Sequence, residues 1–118
     1  MSFRETLTRH LDAIQKRDLK ALADTVADDA LVLIMADGKL VRGTHEFLEA
    51  HRGWFAMPNW TLDAREIEVF ESADLGVAVL RLDYREPPRV RSESYLTLVF
   101  QRRGGEWRMV QDQNTPIK

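Results

Sequence analysis

Two histidines and one aspartate are the residues of this chain best suited to proton chemistry. His10 falls on an apolar stripe with Phe3, Leu7, Leu11 and Ile14, and His51 on a stripe with Phe47, Leu48, Trp54 and Phe55. Each stripe recurs at helical spacing, which marks the face a helix turns inward. Histidine changes charge near neutral pH, so a pair of enclosed imidazoles could exchange protons with a bound molecule. Asp112 could orient one imidazole and stabilise its cation. The same residues could instead be satisfied buried groups that only shape a cavity, because structural sites perturb ionisable groups too. Two histidines and a carboxylate also match a known metal-ligand set. No short ligand spacing accompanies them here, so neither a metal nor another cofactor is expected.

The elements that must position these residues can be read in order. Ser2 with Glu5 resembles a capping box opening a first helix over 2–17. Asp18 reads as the N-cap of a short second helix, Leu19 to Ala27. Ala30 to Met35 is an apolar run of strand length. Asp37-Gly38 is a hairpin signal, and Lys39 to Arg42 returns as a second strand. Gly43-Thr44 opens a third helix, with Thr44 as its expected N-cap, and Met57-Pro58-Asn59 ends it. Strands follow at Trp60 to Phe70 and Leu75 to Arg85, and Pro87-Pro88 forces a loop.

The last stretch, Arg91 to Asn114, reads as a long hairpin turning at Gly104-Gly105. Strict alternation puts Leu96, Leu98, Phe100, Trp107, Met109 and Gln111 on one face. Tyr95, Thr97, Val99, Val110, Asp112 and Asn114 fall on the other. Both faces are largely apolar, so both should be covered. The element order is ααββαββββ, and tight turns between strands imply antiparallel pairing. The expected class is α+β, with helices on one face of a curved sheet.

Bulk properties narrow the function. A chain of 118 residues suits one domain, here 1–118. With 44% apolar and 31% charged residues it reads as a soluble globular protein. A net charge of −2 gives no electrostatic case for nucleic acid or an anionic membrane. Cysteine is absent, which removes thiolate nucleophiles, disulfides and cysteine-ligated metals. No apolar run approaches a membrane span and the start shows no signal-peptide pattern, so a cytoplasmic location is expected. Phosphate-binding glycine loops, nucleophile elbows and HExxH motifs are missing.

The chain resembles the nuclear transport factor 2-like superfamily, in its ketosteroid isomerase-like and SnoaL-like branch. The resemblance is carried by Asp18-Leu19, by Val26 to Ala30, by Gly38 to Gly43 leading into Thr44 to Leu48, and by Gly104 to Val110. It implies a cone-shaped α+β barrel, three N-terminal helices packed on a curved, mainly antiparallel sheet that encloses a pocket. It also implies that the other sheet face packs against a second copy. Counting from the shared motifs, the general-base aspartate of ketosteroid isomerases falls on Ile34, which cannot take a proton. Their helix-one tyrosine falls on His10, their partner carboxylic acid near Thr97, and a pocket tyrosine on His51. The same counting aims Leu80, Leu82, Tyr84, Val110, Asp112 and Asn114 into the pocket.

The expected function is therefore that of a small-molecule pocket protein of this type. As an enzyme it would be an isomerase, cyclase or lyase using His10, His51 and Asp112 for acid–base chemistry on an apolar or aromatic ligand. Trp54, Tyr84 and Tyr95 would wall that ligand. The alternative is a non-catalytic ligand-binding or dimerisation module. A homodimer is expected through Leu96, Leu98, Phe100, Trp107 and Met109, which would otherwise form a large bare apolar patch.

Overall fold

The computed structural model describes all 118 residues. Helix α1 spans Phe3–Gln15, and its capping box is complete: Glu5 N–H donates to Ser2 Oγ and Ser2 N–H to Glu5 Oε1, both at 3.1 Å. Such a cap is worth about 1 kcal/mol. Helix α2, Leu19–Ala23, starts where Asp18 accepts from Ala21 N–H. It stops earlier than its apolar pattern suggests because the next residues are taken up by a strand. Ala27 N–H donates to Met109 O and Met109 N–H to Thr25 O.

Strands β1 (Val32–Ile34) and β2 (Leu40–Arg42) form a short hairpin before α3 (Thr44–Phe55). The N-cap of α3 is Gly43, at φ 89°, rather than Thr44. A β-carbon is disfavoured at that φ, and the Thr44 hydroxyl is instead spent on Ala27 O. Four long strands complete the chain: β3 (Thr61–Glu71), β4 (Leu75–Glu86), β5 (Val90–Arg103) and β6 (Glu106–Pro116). Together the six strands make one curved sheet in the order β2-β1-β6-β5-β4-β3. All pairs are antiparallel except β1 with β6. The sheet stays open between β2 and β3, so the cone is not a closed barrel. Strand β6 runs on past Asn114 to Pro116, and beyond it Ile117 N–H donates to Glu93 O at 2.9 Å.

The terminal hairpin corrects the face assignment made from alternation. Phe100 pairs with Met109, but Val99 pairs with Gln111, so Val110 is an extra residue in the ladder. This bulge reverses the phase of β6 beyond it. Asp112, paired with Leu98, and Asn114, paired with Leu96, therefore join the inner face. Tyr95, Thr97 and Val99 stay on the outer one, and Gln111, paired with Val99, moves to it.

The expected dimer face is overturned by the same geometry. Leu96, Leu98, Phe100, Trp107 and Met109 are buried against the helices within one chain. Phe3 of α1 packs edge-on to Phe100, centroids 5.5 Å apart, and against Trp107 at 5.4 Å. Gly76 on β4 leaves room for that ring, since a β-carbon there would sit 2.6 Å from Phe3. The outer sheet face carries Phe70, Val77, Val79 and Val99, with Phe70 exposed.

Candidate active site

The concave side of the sheet and helices α1 and α3 leave a cavity of about 390 Å³. Its walls are mostly apolar: Ile14 from α1, Leu33 and Met35 from the first strand and its edge, and Leu62, Leu82 and Leu96 from the sheet. His51, Trp54, Tyr84, Asp112 and Asn114 supply the polar atoms. Trp54 stacks on Trp60, centroids 4.3 Å apart with planes 16° from parallel, and Trp60 Nε1–H donates to Trp54 O at 3.0 Å. The Arg17 guanidinium lies 3.9 Å from the Trp60 ring centroid, which ties the end of α1 to this aromatic wall.

Asp112 is the unusual group. Its side chain is buried, and burial pushes the carboxyl pKa up to about 7 against the opposing effect of the Asn114 hydrogen bond. Asn114 Nδ2 donates to Asp112 Oδ1 at 2.9 Å and to Ile34 O at 3.2 Å. No protein group bonds Asp112 Oδ2.

His51 Nδ1 lies 2.9 Å from Phe47 O. A carbonyl only accepts, so Nδ1 carries the proton and Nε2 presents a lone pair. Burial lowers the His51 pKa, with the Phe47 carbonyl acting the other way. The ring is held by Phe47 at 4.2 Å between centroids and by Trp54 and Phe55 edge-on.

His10 is placed differently from the expectation. It is fully buried and does not line the cavity. Nδ1 lies 2.8 Å from Thr25 Oγ1, whose own proton goes to Leu22 O at 2.8 Å. Nδ1 must therefore be the donor. Burial, and then the nearby His51, pull the His10 pKa down to about 3. Its Nε2 is the one enclosed side-chain polar atom without a partner. The unbonded atoms of His51, Asp112 and Asn114 are not enclosed in that way, so they open on the cavity.

Of the other sequence candidates, the cavity gathers Trp54, Leu82, Tyr84 and Asn114. Leu80 is core, 1% exposed. Ile34 contributes only its carbonyl, because Leu33 pairs with Asp112 and takes the inner face. Tyr95 and Thr97 lie outward, and Val110 is the bulge residue. Sequence reasoning missed Ile14, Leu33, Met35 and Leu62. Ile14 was visible on the helix stripe; the phase of the short first strand was not. His10, His51 and Asp112 form no ligand set, and no other cluster of three such side chains could hold a metal. No helix is long and apolar enough to cross a membrane.

A SnoaL-like domain family model matches residues 4–116. The chain belongs to the SnoaL-like family. No curated protein matches it. Among solved structures, a candidate calcium/calmodulin-dependent protein kinase type II association domain from Thiobacillus denitrificans superposes with a TM-score of 0.87 at 18% identity, covering 99% of this chain and 96% of that one. A candidate ketosteroid isomerase from Shewanella frigidimarina gives 0.80 at 15% identity, covering 94% and 92%. A candidate dehydratase of the NTF2-like family from Streptomyces avermitilis gives 0.78 at 16% identity, covering 97% and 93%. At these identities the likeness shows a shared fold, and the function of this SnoaL-like chain has to be argued from its own cavity.

Proposed function

We propose that this SnoaL-like protein is a proton-transfer enzyme, an isomerase, cyclase or lyase, acting on a largely apolar small molecule. The observation that carries this reading is the pairing, in one apolar cavity, of a carboxyl with pKa about 7 and an imidazole whose free Nε2 is a lone pair. Near neutral pH both groups are available uncharged. His51 Nε2 takes a proton from the substrate, and Asp112 Oδ2–H gives one to a substrate oxygen. The imidazolium and carboxylate so formed return to the starting state by passing one proton back. Asn114 holds the carboxyl in place. His10, enclosed and unable to reach the cavity, is a structural residue in this scheme.

The test is incubation in D₂O with a panel of ring-bearing hydroxy ketones, followed by NMR for deuterium uptake at carbon or loss of water. Asp112→Asn and His51→Gln should each slow the reaction about 100-fold or more while the variants stay folded. A panel member that raises Tm yet is recovered unchanged, with no deuterium, would favour the non-catalytic binding alternative.

For a partner, we propose a second copy of the chain on the outer sheet face, in place of the buried set named above. The support is the apolar group Phe70, Val77, Val79 and Val99 on that face. Sedimentation should find a dimer that Val79→Lys dissociates; a wild-type monomer at high concentration would remove this part of the reading.

A further inference from the structure

The cavity has two ends, which differ in depth and in hydrogen-bonding sense. His51 and Asp112 are buried at its floor, whereas Ala36 and Ala50 are exposed at its rim, beside half-buried Trp54 and Tyr84. The sheet register sets the two ends apart. Asn114 pairs with Leu96, and Leu96 with Leu80. Tyr84 lies four residues further along β4, about 13 Å at strand rise. Trp54 reaches from one end to the other, its ring centroid 5.9 Å from His51 and 6.0 Å from Tyr84. At the floor, His51 Nε2 only accepts, and Asp112 Oδ2 accepts when ionised and donates when protonated. At the rim the free groups are donors. No protein atom accepts from Trp54 Nε1–H or Tyr84 O–H, and neither group is enclosed. No charged side chain lines the rim, so a neutral acceptor suits these donors better than an ion.

We propose that the cavity takes flat, two-ended ligands: a hydroxyl on the leading ring meets His51 and Asp112 at the floor, and a neutral carbonyl at the trailing end accepts from Tyr84 O–H and Trp54 N–H at the rim. This rests on the cavity being the ligand site, and not on catalysis there. A carbonyl oxygen has two lone pairs and can take both donors. The apolar walls between the ends hold the rings but cannot tell one end of the ligand from the other. Tyr84 and Trp54 therefore determine specificity for the trailing group and fix which end enters first. A ligand that puts hydrocarbon there leaves both donors without their acceptor.

The test uses 6-acetyl-2-naphthol and 6-isopropyl-2-naphthol, in which a methyl group replaces the carbonyl oxygen. Both are titrated against the whole protein by calorimetry at pH 6, where Asp112 holds its proton. The reading is the ratio of the two affinities, which cancels losses of packing common to both ligands. Tyr84→Phe should lower the preference for the acetyl compound about fivefold, the worth of one hydrogen bond, and Trp54→Phe should do the same. Asp112→Asn should weaken both ligands and leave the ratio where it was. An unchanged ratio in Tyr84→Phe and Trp54→Phe overturns the rim assignment. A ratio that falls in Asp112→Asn instead places the carbonyl at the floor and overturns the orientation. Failure of both naphthols to bind overturns the ligand site as well. The predicted pattern of ratios, found together with no deuterium uptake in the D₂O assay, would uphold the two-ended site and remove only the catalytic reading.

Discussion

Asn114 and Asp112 stand two residues apart on β6, and the 2.9 Å bond from Asn114 Nδ2 to Asp112 Oδ1 is the one protein hydrogen bond to that carboxyl. It favours the ionised form, against burial. Asn114→Leu should therefore raise the Asp112 pKa further. A carboxyl-¹³C NMR titration of the variant beside the wild type would show it. A shift downward would mean that Asn114 does not support the carboxylate.

Asp112 and His10 leave opposite marks on stability. The Asp112 pKa is raised in the fold, from 3.8 to about 7. The folded state thus holds a proton that the unfolded chain gives up, and this contribution is lost as pH rises from about 4 to 7. The His10 pKa is lowered, from 6.5 to about 3. Its contribution is present above the unfolded value and is lost as pH falls below it. Between these limits the two oppose each other. Asp112→Asn removes one, so the stability of the variant should climb with pH from 4 to 6.5, relative to wild type, by up to about 1.4 kcal/mol per pH unit. Urea unfolding of both proteins across that range checks the sign. Parallel curves would contradict the buried-acid account.

The two histidines should separate on substitution. His10→Leu removes an orphaned Nε2 while the Thr25 hydroxyl keeps its bond to Leu22 O. Stability should change by no more than about 1 kcal/mol, and ligand binding should be unaltered. His51→Leu deletes a cavity acceptor and should abolish turnover. Loss of activity in His10→Leu, with the fold intact by circular dichroism, would put His10 back in the chemistry.

Gly76 is set by the neighbouring aromatic ring. Gly76→Ala drives a β-carbon to 2.6 Å from Phe3 and should cost about 1–3 kcal/mol. Phe3→Leu in the same background should recover part of that loss, giving a coupling in a double-mutant cycle. Additive losses would show that the two side chains do not meet.

Much of this was legible in the sequence, for local reasons. The Ser2–Glu5 box, the Asp18 cap, the Gly104-Gly105 turn and the helical stripes holding both histidines are signals carried by neighbouring residues, and the structure keeps them. What was hidden depends on pairing between distant strands. Nothing near Val110 announces a bulge, yet it decides that Asp112 and Asn114 look inward while Tyr95 and Thr97 look out. The phase of the three-residue β1 is likewise set by its partner β6, which turns Leu33 rather than Ile34 to the cavity. A stripe also cannot tell depth: His10 and His51 share the same pattern, and only packing seals the first and opens the second.

The most direct test of the central claim is a carboxyl-¹³C NMR titration of wild-type Asp112, assigned through the Asp112→Asn spectrum. The account predicts a midpoint near pH 7, so that the group is a neutral acid ready to give a proton. A midpoint near the ordinary carboxylate value of about 4 would leave a permanent anion in the cavity and contradict the proposed chemistry.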